Sequence, residues 1–144
     1  METSKNDKKN CLIPYRTVVI EDQTLFRDIL VHLVESDSDY SLVGKASSGT
    51  EGWEVCRQTK PDLILTDYFM PNMTGAEMAS SLRKIGFKGP IVGVTAAIIG
   101  NQKDELQSSG VDIVLSKPLT SSNFKSAILQ LRAAGKLNKA GEHE

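Results

Sequence analysis

The sequence is poor in cysteine and histidine, and this scarcity excludes two common ways of stabilising a small protein. The 144 residues include two cysteines, Cys11 and Cys56, and two histidines. Two cysteines without a histidine cluster do not make a zinc site, and without a secretory signal segment a structural disulfide is not expected. We therefore interpret both thiols as inert. Hydrophobic residues make up 40% of the chain, which is enough to form a buried core without disulfides or a zinc site.

Long apolar runs and a strong net charge are also missing. No stretch approaches the roughly 18 continuous apolar residues that a membrane span needs. The polar opening METSKNDKKN is not followed by an apolar signal core. The formal net charge is −1, which argues against a broad nucleic-acid or membrane-surface footprint. We therefore expect a cytoplasmic protein whose folded domain binds neither nucleic acid nor membrane.

The chain has no internal repeat and no low-complexity tract, so its length suits one compact unit. Residues 1–13 are charged and irregular, and residues 135–144 are polar with two glycines. We predict that 1–13 form a disordered lead and that 135–144 form a flexible tail. One folded domain is then expected to span 14–134.

Short apolar runs alternate with segments of helical periodicity along this domain. The runs predicted as strands are TVVI (17–20), YSLVGKA (40–46), DLILT (62–66), IVGVT (91–95) and DIVLS (112–116). Five strands alternating with five helices predict an α/β fold, a doubly wound parallel sheet with helices on both faces. The strands are nearly continuous in apolar residues, as expected where both sheet faces are covered. Periodicity alone does not give the strand order.

Polar side chains stand at the ends of four of these strands, where ligands of open α/β sheets bind. They are Glu21 and Asp22 after the first strand, Asp67 after the third, Thr95 at the end of the fourth, where Ala96 follows it, and Lys117 after the fifth. Three carboxylates, one hydroxyl and one ammonium thus converge on one rim from distant segments. Chance would place one or two of them there, so the whole set indicates a functional site.

These groups suit phosphoryl transfer to a carboxylate. An aspartate and an anionic phosphoryl group repel each other, and a divalent cation that bridges them removes the conflict. Mg²⁺ typically uses one or two protein carboxylates together with waters and phosphate oxygens. We expect Asp22 and Asp67 to be direct ligands, with Glu21 nearby and the backbone carbonyl of Phe69 as a further ligand. Mn²⁺ is an alternative ion.

The remaining groups have roles in the same chemistry and also plainer alternatives. Lys117 would pair with Asp67 and then with a phosphoryl oxygen, while Thr95 and the backbone of Ala96 would bind other phosphoryl oxygens. Alternatively, Asp22 only favours the start of the first helix, where acids are stabilised. Asp67 would then cap a loop, Lys117 would be solvated, and Thr95 would bond a backbone group.

The strings VVIED, LILTDYFMPNMTG, IVGVTA and VLSKPL resemble the receiver domain of two-component response regulators. The resemblance covers about residues 15–134, with four motifs in the family's order. It implies a flavodoxin-like strand order 2-1-3-4-5 and an acyl phosphate on Asp67. The donor would be a histidine kinase or a histidine phosphotransfer protein. The domain would be a signalling phosphoacceptor in a two-component system or phosphorelay, not an enzyme. The last two motifs look more like receivers of hybrid histidine kinases than like the chemotaxis regulator.

The resemblance also implies a surface for an unidentified downstream protein. It would comprise the fourth helix, fifth strand and fifth helix, with Ile98, Ile99 and Leu106 as apolar candidates. The protein would act as a monomer or as a phosphorylation-dependent dimer through that surface.

Three positions depart from the family pattern. Glu21 replaces the first of two usual aspartates. Val114 stands at the aromatic switch position that normally works with Thr95, so the usual coupling cannot be assumed. Phe69, two residues after the acceptor, is expected to shield an acyl phosphate from water.

Two other functions stay open at this point. An aspartyl-phosphate hydrolase of the haloacid-dehalogenase type would use the same Asp, Lys and Mg²⁺ logic. Such enzymes carry a second aspartate where this chain has Phe69, which argues against turnover. A pseudo-receiver that is never phosphorylated would fit Val114, although the intact Asp22, Asp67, Thr95 and Lys117 argue against it.

Overall fold

A computed structural model describes residues 13–96 and 102–137 of the chain. The strands in this part are β1 (Tyr15–Ile20), β2 (Tyr40–Ala46), β3 (Leu63–Thr66), β4 (Ile91–Thr95) and β5 (Ile113–Ser116). The helices are α1 (Thr24–Glu35), α2 (Gly49–Thr59), α3 (Gly75–Lys84), α4 (Gln102–Ser108) and α5 (Ser121–Ala133).

The strands form one sheet in the order β2-β1-β3-β4-β5. Every neighbouring pair is parallel, and the pairing of β1 with β2 shifts register between Thr17 and Val18. All residues of β3 and β4 are buried, as expected for strands covered on both faces. The predicted fold class and the flavodoxin-like strand order are confirmed.

The core has two parts, one on each face of the sheet. Tyr15 and Val19 of β1 belong to one apolar cluster, whereas Val18 and Ile20 belong to the other. This division follows from the alternation of side chains along a strand. The first cluster includes residues of α1 and α5, and the second includes residues of α2, α3 and α4. Two-sided burial holds the strand ends, and therefore the rim, in place.

Helix starts are fixed by short polar side chains. Ser48 accepts from a backbone N–H of α2, Thr74 does so for α3, and Thr120 does so for α5. Thr74 also forms a reciprocal capping box with Glu77. Such caps contribute roughly 1 kcal/mol each.

Two arginines tie the loops at the amino ends of the strands, the edge opposite the rim. Arg83, in the last turn of α3, donates from its guanidinium to the carbonyls of Phe87, Gly89 and Gly110 and to the carboxylate of Asp112. One cation therefore joins the end of α3 to the segments that lead into β4 and β5.

Arg16 does the same on the other side of this edge. Its guanidinium donates to the carbonyls of Thr59 and Lys60 at the end of α2, at 2.8 and 2.9 Å. Its backbone N–H donates to the Asp62 carboxylate at 2.8 Å. The end of α2 and the start of β3 are thus bound to β1.

A cavity of about 750 Å³ lies at this same edge. Its lining includes Tyr15, Trp53, Phe87, Lys136 and Leu137. Leu137 is buried and packs in the core, so the packed chain continues three residues beyond the predicted domain end at 134. The predicted lead and tail stay predictions, because residues 1–12 and 138–144 lie outside the described part.

The prediction that Leu106 contacts a partner protein is wrong. Its side chain is 0% exposed because the inner face of α4 packs against the sheet, next to Gly93 and Val111. Ile98 and Ile99, the other two candidates, lie outside the described residues. Leu129 of α5 is instead 61% exposed.

Candidate functional site

Three of the residues predicted for the site directly follow the last residue of a strand, and the backbone N–H of each adds one more hydrogen bond between neighbouring strands. The bonds are Glu21 N–H to Ala46 O at 3.0 Å, Asp67 N–H to Ile20 O at 3.0 Å, and Lys117 N–H to Thr95 O at 2.9 Å. Because the strands are parallel, these bonds all fall at the same edge. The Lys117–Pro118 peptide bond is cis.

Three acidic side chains converge at this rim. One carboxylate oxygen from each of Glu21, Asp22 and Asp67 lies within 4.8 Å of the others. Glu21 and Asp67 are buried, and Asp22 is partly exposed. A cluster of hard oxygen donors at this spacing fits Mg²⁺, which takes carboxylate, water and phosphate oxygens. The set is typical of the receiver Mg²⁺ site.

Lys117 pairs with two of these acids. Its Nζ lies 2.7 Å from Oε1 of Glu21 and 3.1 Å from Oδ2 of Asp67. The three side chains are 5%, 0% and 6% exposed, so this is a buried ion-pair network. Removing one member of such a network leaves an uncompensated buried charge, which is strongly destabilising.

The second oxygen of each paired acid is held by a backbone N–H. Oε2 of Glu21 accepts from Gln23 at 3.1 Å, and Oδ1 of Asp67 accepts from Tyr68 at 2.7 Å. Burial raises the pKa of Glu21, the Lys117 hydrogen bond works in the opposite direction, and the nearby Asp67 raises it further. Both carboxylates are therefore fixed in orientation as well as position.

Sequence reasoning missed two residues of α1 that support the rim. Arg27 donates from Nη1 to the backbone carbonyl of Glu21 at 2.9 Å, which holds the acidic turn against the helix. Phe26 places its ring beneath the Lys117 ammonium, 4.4 Å from Nζ to the ring centroid. Both lie in the first turn of α1 directly after the acidic pair, so the sequence placed them near the rim but did not show which side chains face it.

The switch and phosphoryl-binding candidates lie around this network. Thr95, the last residue of β4, is 1% exposed, and the next residue, Ala96, is exposed. Val114 of β5 is opposite Gly93 and packs against the apolar cluster that contains Tyr68. Sequence reasoning missed Tyr68, whose hydroxyl donates to Glu105 of α4 at 2.6 Å.

Phe69 lies on the surface of the rim. Its side chain is 57% exposed and meets Tyr68 edge-to-face, with ring centroids 4.6 Å apart. Its role as a shield and its carbonyl as a metal ligand stay predictions.

Gly75 is required by a close approach of two backbone segments. Its N–H donates to the Tyr68 carbonyl at 2.8 Å. A Cβ at this position would lie 2.2 Å from the carbonyl oxygen of Asp67, well inside contact distance. Only glycine lets α3 begin so close to the residue that carries the central carboxylate.

The family model described as the response regulator receiver domain matches residues 17–129, and the chain belongs to this family. A receiver domain is a phosphoacceptor of two-component signal transduction rather than a catalytic enzyme. The hydrolase alternative is therefore not the class of this protein.

Curated relatives agree with this family. The chain is 29% identical over 120 residues to a probable C4-dicarboxylate response regulator DctR of Priestia megaterium, covering 83% of this chain and 52% of that protein. It is 35% identical over 83 residues to the sensor histidine kinase RcsC of Salmonella typhi, covering 58% of this chain and 9% of the kinase. The chain thus spans about half the length of the first relative and a small part of the second.

Solved structures share the fold. The signal receiver domain of the putative response regulator NarL from Mycobacterium tuberculosis superposes with a TM-score of 0.78 at 26% identity, covering 84% of this chain and 98% of that one. CheX–CheY with beryllium fluoride and Mg²⁺ from Borrelia burgdorferi gives 0.77 at 16% identity, covering 83% and 90%. The latter likeness concerns the fold alone.

Among the described residues, none of the helices combines the length and apolar character needed to cross a membrane.

Proposed function

We propose that Asp67 accepts a phosphoryl group from a phosphohistidine donor in a Mg²⁺-dependent reaction. The observation that carries the proposal is the placement of Asp67. Its carboxylate is buried, paired with Lys117 at 3.1 Å and clustered with two further acids. An aspartate kept only to cap a loop needs neither the cation nor the acidic neighbours.

The transfer exchanges one bond for another. A carboxylate oxygen of Asp67 forms a P–O bond as the P–N bond to the donor's imidazole breaks. The electron pair of that bond stays on the imidazole nitrogen, and the product is an acyl phosphate. Asp22, Asp67 and the Phe69 carbonyl would hold Mg²⁺, with Glu21 adjacent, and the ion would supply charge neutralisation for this exchange.

The chain's own groups then orient and stabilise the phosphoryl group. Lys117, already beside the Asp67 carboxylate, pairs with one phosphoryl oxygen as a mobile point charge. The Thr95 hydroxyl and the Ala96 backbone N–H donate to others. The Tyr68 N–H holds Oδ1 of Asp67, while Oδ2 is the oxygen that pairs with Lys117. These contacts position the reacting atoms before transfer, which is where such reactions gain most of their rate.

Glu21 has a distinct role in this scheme. Its longer side chain reaches Lys117 directly, at 2.7 Å, while its other oxygen is bound by the Gln23 N–H. Glu21 therefore holds the lysine beside the acceptor and, as a member of the acidic cluster, would also contact the metal through water.

The donor is a histidine kinase or a histidine phosphotransfer protein, and the output is a protein contact. Receiver domains take phosphoryl groups from histidine kinases. We propose that a downstream protein, or a second copy of this chain after phosphorylation, binds the surface of α4, β5 and α5. Leu129 is an exposed apolar residue of α5, one of the three elements of this surface.

The test uses a small phosphodonor so that no partner protein is needed. The chain is incubated with acetyl phosphate and Mg²⁺, and its intact mass is followed over time. Asp67→Asn is the inactive variant, and Asp28→Asn, at an exposed position on α1, is the matched control. We expect one added phosphoryl group in the wild type and in Asp28→Asn, none in Asp67→Asn, and none when EDTA removes the metal.

The proposal would be overturned if the wild-type chain gains no mass and also does not bind beryllofluoride in the presence of Mg²⁺. The chain would then be a pseudo-receiver that binds partners without being phosphorylated. Mass gain that persists in Asp67→Asn would instead place the acceptor elsewhere.

A further inference from the structure

We propose that Phe26 is a positioning residue for Lys117, holding the ammonium beside Asp67 through a cation–π contact. The inference rests on the proposed function, because it assigns Phe26 to the phosphoryl-transfer step in which Lys117 takes part. It starts from one distance, the 4.4 Å between Lys117 Nζ and the centre of the Phe26 ring.

Lys117 needs such support because of its own chemistry. A lysine ammonium is a compact and strongly hydrated charge on a flexible four-carbon stem, with three donor hydrogens. Here it contacts two carboxylates, at 2.7 and 3.1 Å, yet its side chain is only 5% exposed. An ammonium withdrawn from water is stabilised by an aromatic face, which supplies negative potential without a formal charge.

The place of Phe26 in the chain explains how the ring reaches the lysine. α1 begins at Thr24, two residues after the acidic pair, so residue 26 lies in its first turn beside the rim. Leu25, its neighbour in the same turn, is 69% exposed, whereas Phe26 is partly buried. The turn thus directs one apolar side chain to solvent and one under the ammonium.

An aromatic ring suits this position better than a third acid would. A carboxylate beneath Lys117 would compete with Asp67 for the ammonium. A ring attracts the charge without offering a hydrogen-bond acceptor that must be exchanged when a phosphoryl oxygen arrives. The lysine is therefore held near the acceptor but remains free to redirect its donors. This predicts that Phe26 affects the rate of phosphorylation and leaves metal affinity unchanged.

The first experiment detects the contact without any phosphodonor. The side-chain resonances of Lys117 are assigned by NMR with the help of Lys117→Met. We expect an upfield ring-current shift of the Lys117 Cε protons in the wild type, its loss in Phe26→Leu, and its retention in Phe26→Tyr. A Lys117 signal identical in wild type and Phe26→Leu would overturn the inference, whatever the fate of the proposed function.

The second experiment measures the consequence with acetyl phosphate at saturating Mg²⁺. We expect Phe26→Leu to lower the phosphorylation rate roughly three- to tenfold, a range that a partly desolvated cation–π contact supports. Phe26→Tyr should restore it, and Mg²⁺ affinity should stay within about twofold, since the contact involves no carboxylate. Val31→Ala, a truncation of a partly buried residue on the same helix, controls for general loosening of α1.

A double-variant comparison separates positioning from packing. In a Lys117→Met background, the Phe26→Leu change should have no further effect on the residual rate, because the charge it serves is gone. An unchanged rate in Phe26→Leu would overturn the inference. So would a loss that Val31→Ala reproduces and Phe26→Tyr does not restore. If the wild type gains no phosphoryl group, the proposed function fails, and the NMR comparison alone decides whether Phe26 holds Lys117.

Discussion

The hydroxyl of Tyr68 lies 2.6 Å from Oε1 of Glu105, so the residue that follows Asp67 is tied directly to α4. The same tyrosine donates its backbone N–H to the Asp67 carboxylate at 2.7 Å. The hydrogen bond to Glu105 raises the pKa of the Tyr68 phenol. One residue thus connects the central carboxylate with a helix of the expected partner surface, in a protein that has Val114 where the family resemblance predicts an aromatic.

Tyr68→Phe tests this link. The variant loses a hydrogen bond to a charged group, worth about 1 kcal/mol at a partly exposed site. We therefore expect α4 to open more readily, with hydrogen exchange of the amides in 102–110 rising about fivefold. Tyr15→Phe is the matched control, since it loses a phenol contact with Arg132 on the other face of the sheet. Equal exchange in α4 for wild type and Tyr68→Phe would contradict the link.

Gly75→Ala should damage the acceptor site through the backbone. The new Cβ would lie 2.2 Å from the Asp67 carbonyl oxygen, so the segment carrying Asp67 must shift. We expect a loss of stability of about 2 kcal/mol, as for other overpacked sites, together with a phosphorylation rate at least tenfold lower. The measurements are urea unfolding and labelling by acetyl phosphate.

Gly44→Ala is the control that separates the loss of stability in Gly75→Ala from its loss of phosphorylation rate. The new Cβ at residue 44 would lie 2.5 Å from Cγ1 of Val55, and its nearest neighbours are the side chains of Val55 and Val18 rather than residues of the acidic rim. This variant should lose stability but label at the wild-type rate under native conditions. Labelling of Gly75→Ala at the wild-type rate would show that the site tolerates the backbone shift.

Metal binding should depend more on Asp22 than on Glu21. Both oxygens of Glu21 already have partners, Lys117 and the Gln23 N–H, whereas Asp22 is partly exposed within the acidic cluster. We expect Asp22→Asn to weaken Mg²⁺ binding by on the order of tenfold or more, and Glu21→Gln to weaken it less. Calorimetric titration measures both, with Asp28→Asn as control. The reverse ranking would make Glu21 the principal ligand.

Phe69→Asn should shorten the lifetime of the phosphorylated state. An apolar side chain on the rim restricts water near an acyl phosphate, and an asparagine does not. We expect the loss of the added mass to be several-fold faster after the phosphodonor is removed. Ile85→Asn is the control, because Ile85 is also an exposed apolar residue, at 52%, but follows the far end of α3. A lifetime equal to that of the wild type would refute the shielding role.

The buried thiol of Cys56 should make the free energy of unfolding depend on pH. Burial raises the pKa of its thiol to about 12, whereas a cysteine in an unfolded chain has a pKa of about 8.5. Below the unfolded pKa the thiol is protonated in both states. As pH rises above it, only the unfolded state ionises, so stability falls by about 2 kcal/mol by pH 10. We expect this loss in urea unfolding of a Cys11→Ser chain and its absence after Cys56→Ala. Equal slopes would show that other groups cause it.

The fold and the rim residues could be predicted because each depends on a local signal. A strand buried on both faces is apolar throughout, as IVGVT is, and parallel strands bring their ends to one edge. Glu21, Asp67 and Lys117 could therefore be placed together from their positions alone. The strand order came from the family resemblance, since nothing in the periodicity of β1 or β2 specifies its neighbour.

The supporting contacts could not be predicted because they depend on the direction of individual side chains. Phe26 and Leu25 are both apolar and adjacent, and only the start of α1 decides which one meets Lys117. Leu106 was expected on the surface from its position in the fourth helix, but that short helix turns it towards the sheet. Tyr68 was passed over because its partner, Glu105, is 37 residues away in sequence.

The ties made by Arg16 and Arg83 give the molecule an anchored edge and a working edge. Tyr15 and Leu137, near the two ends of the described chain, line the same cavity at the anchored edge. The described part of the chain therefore both begins and ends on the side opposite Asp67. A surface tether or a fluorescent label placed there leaves the acidic rim open to a donor protein. Immobilisation through a residue of this edge is thus the orientation in which binding of a phosphodonor should be measured.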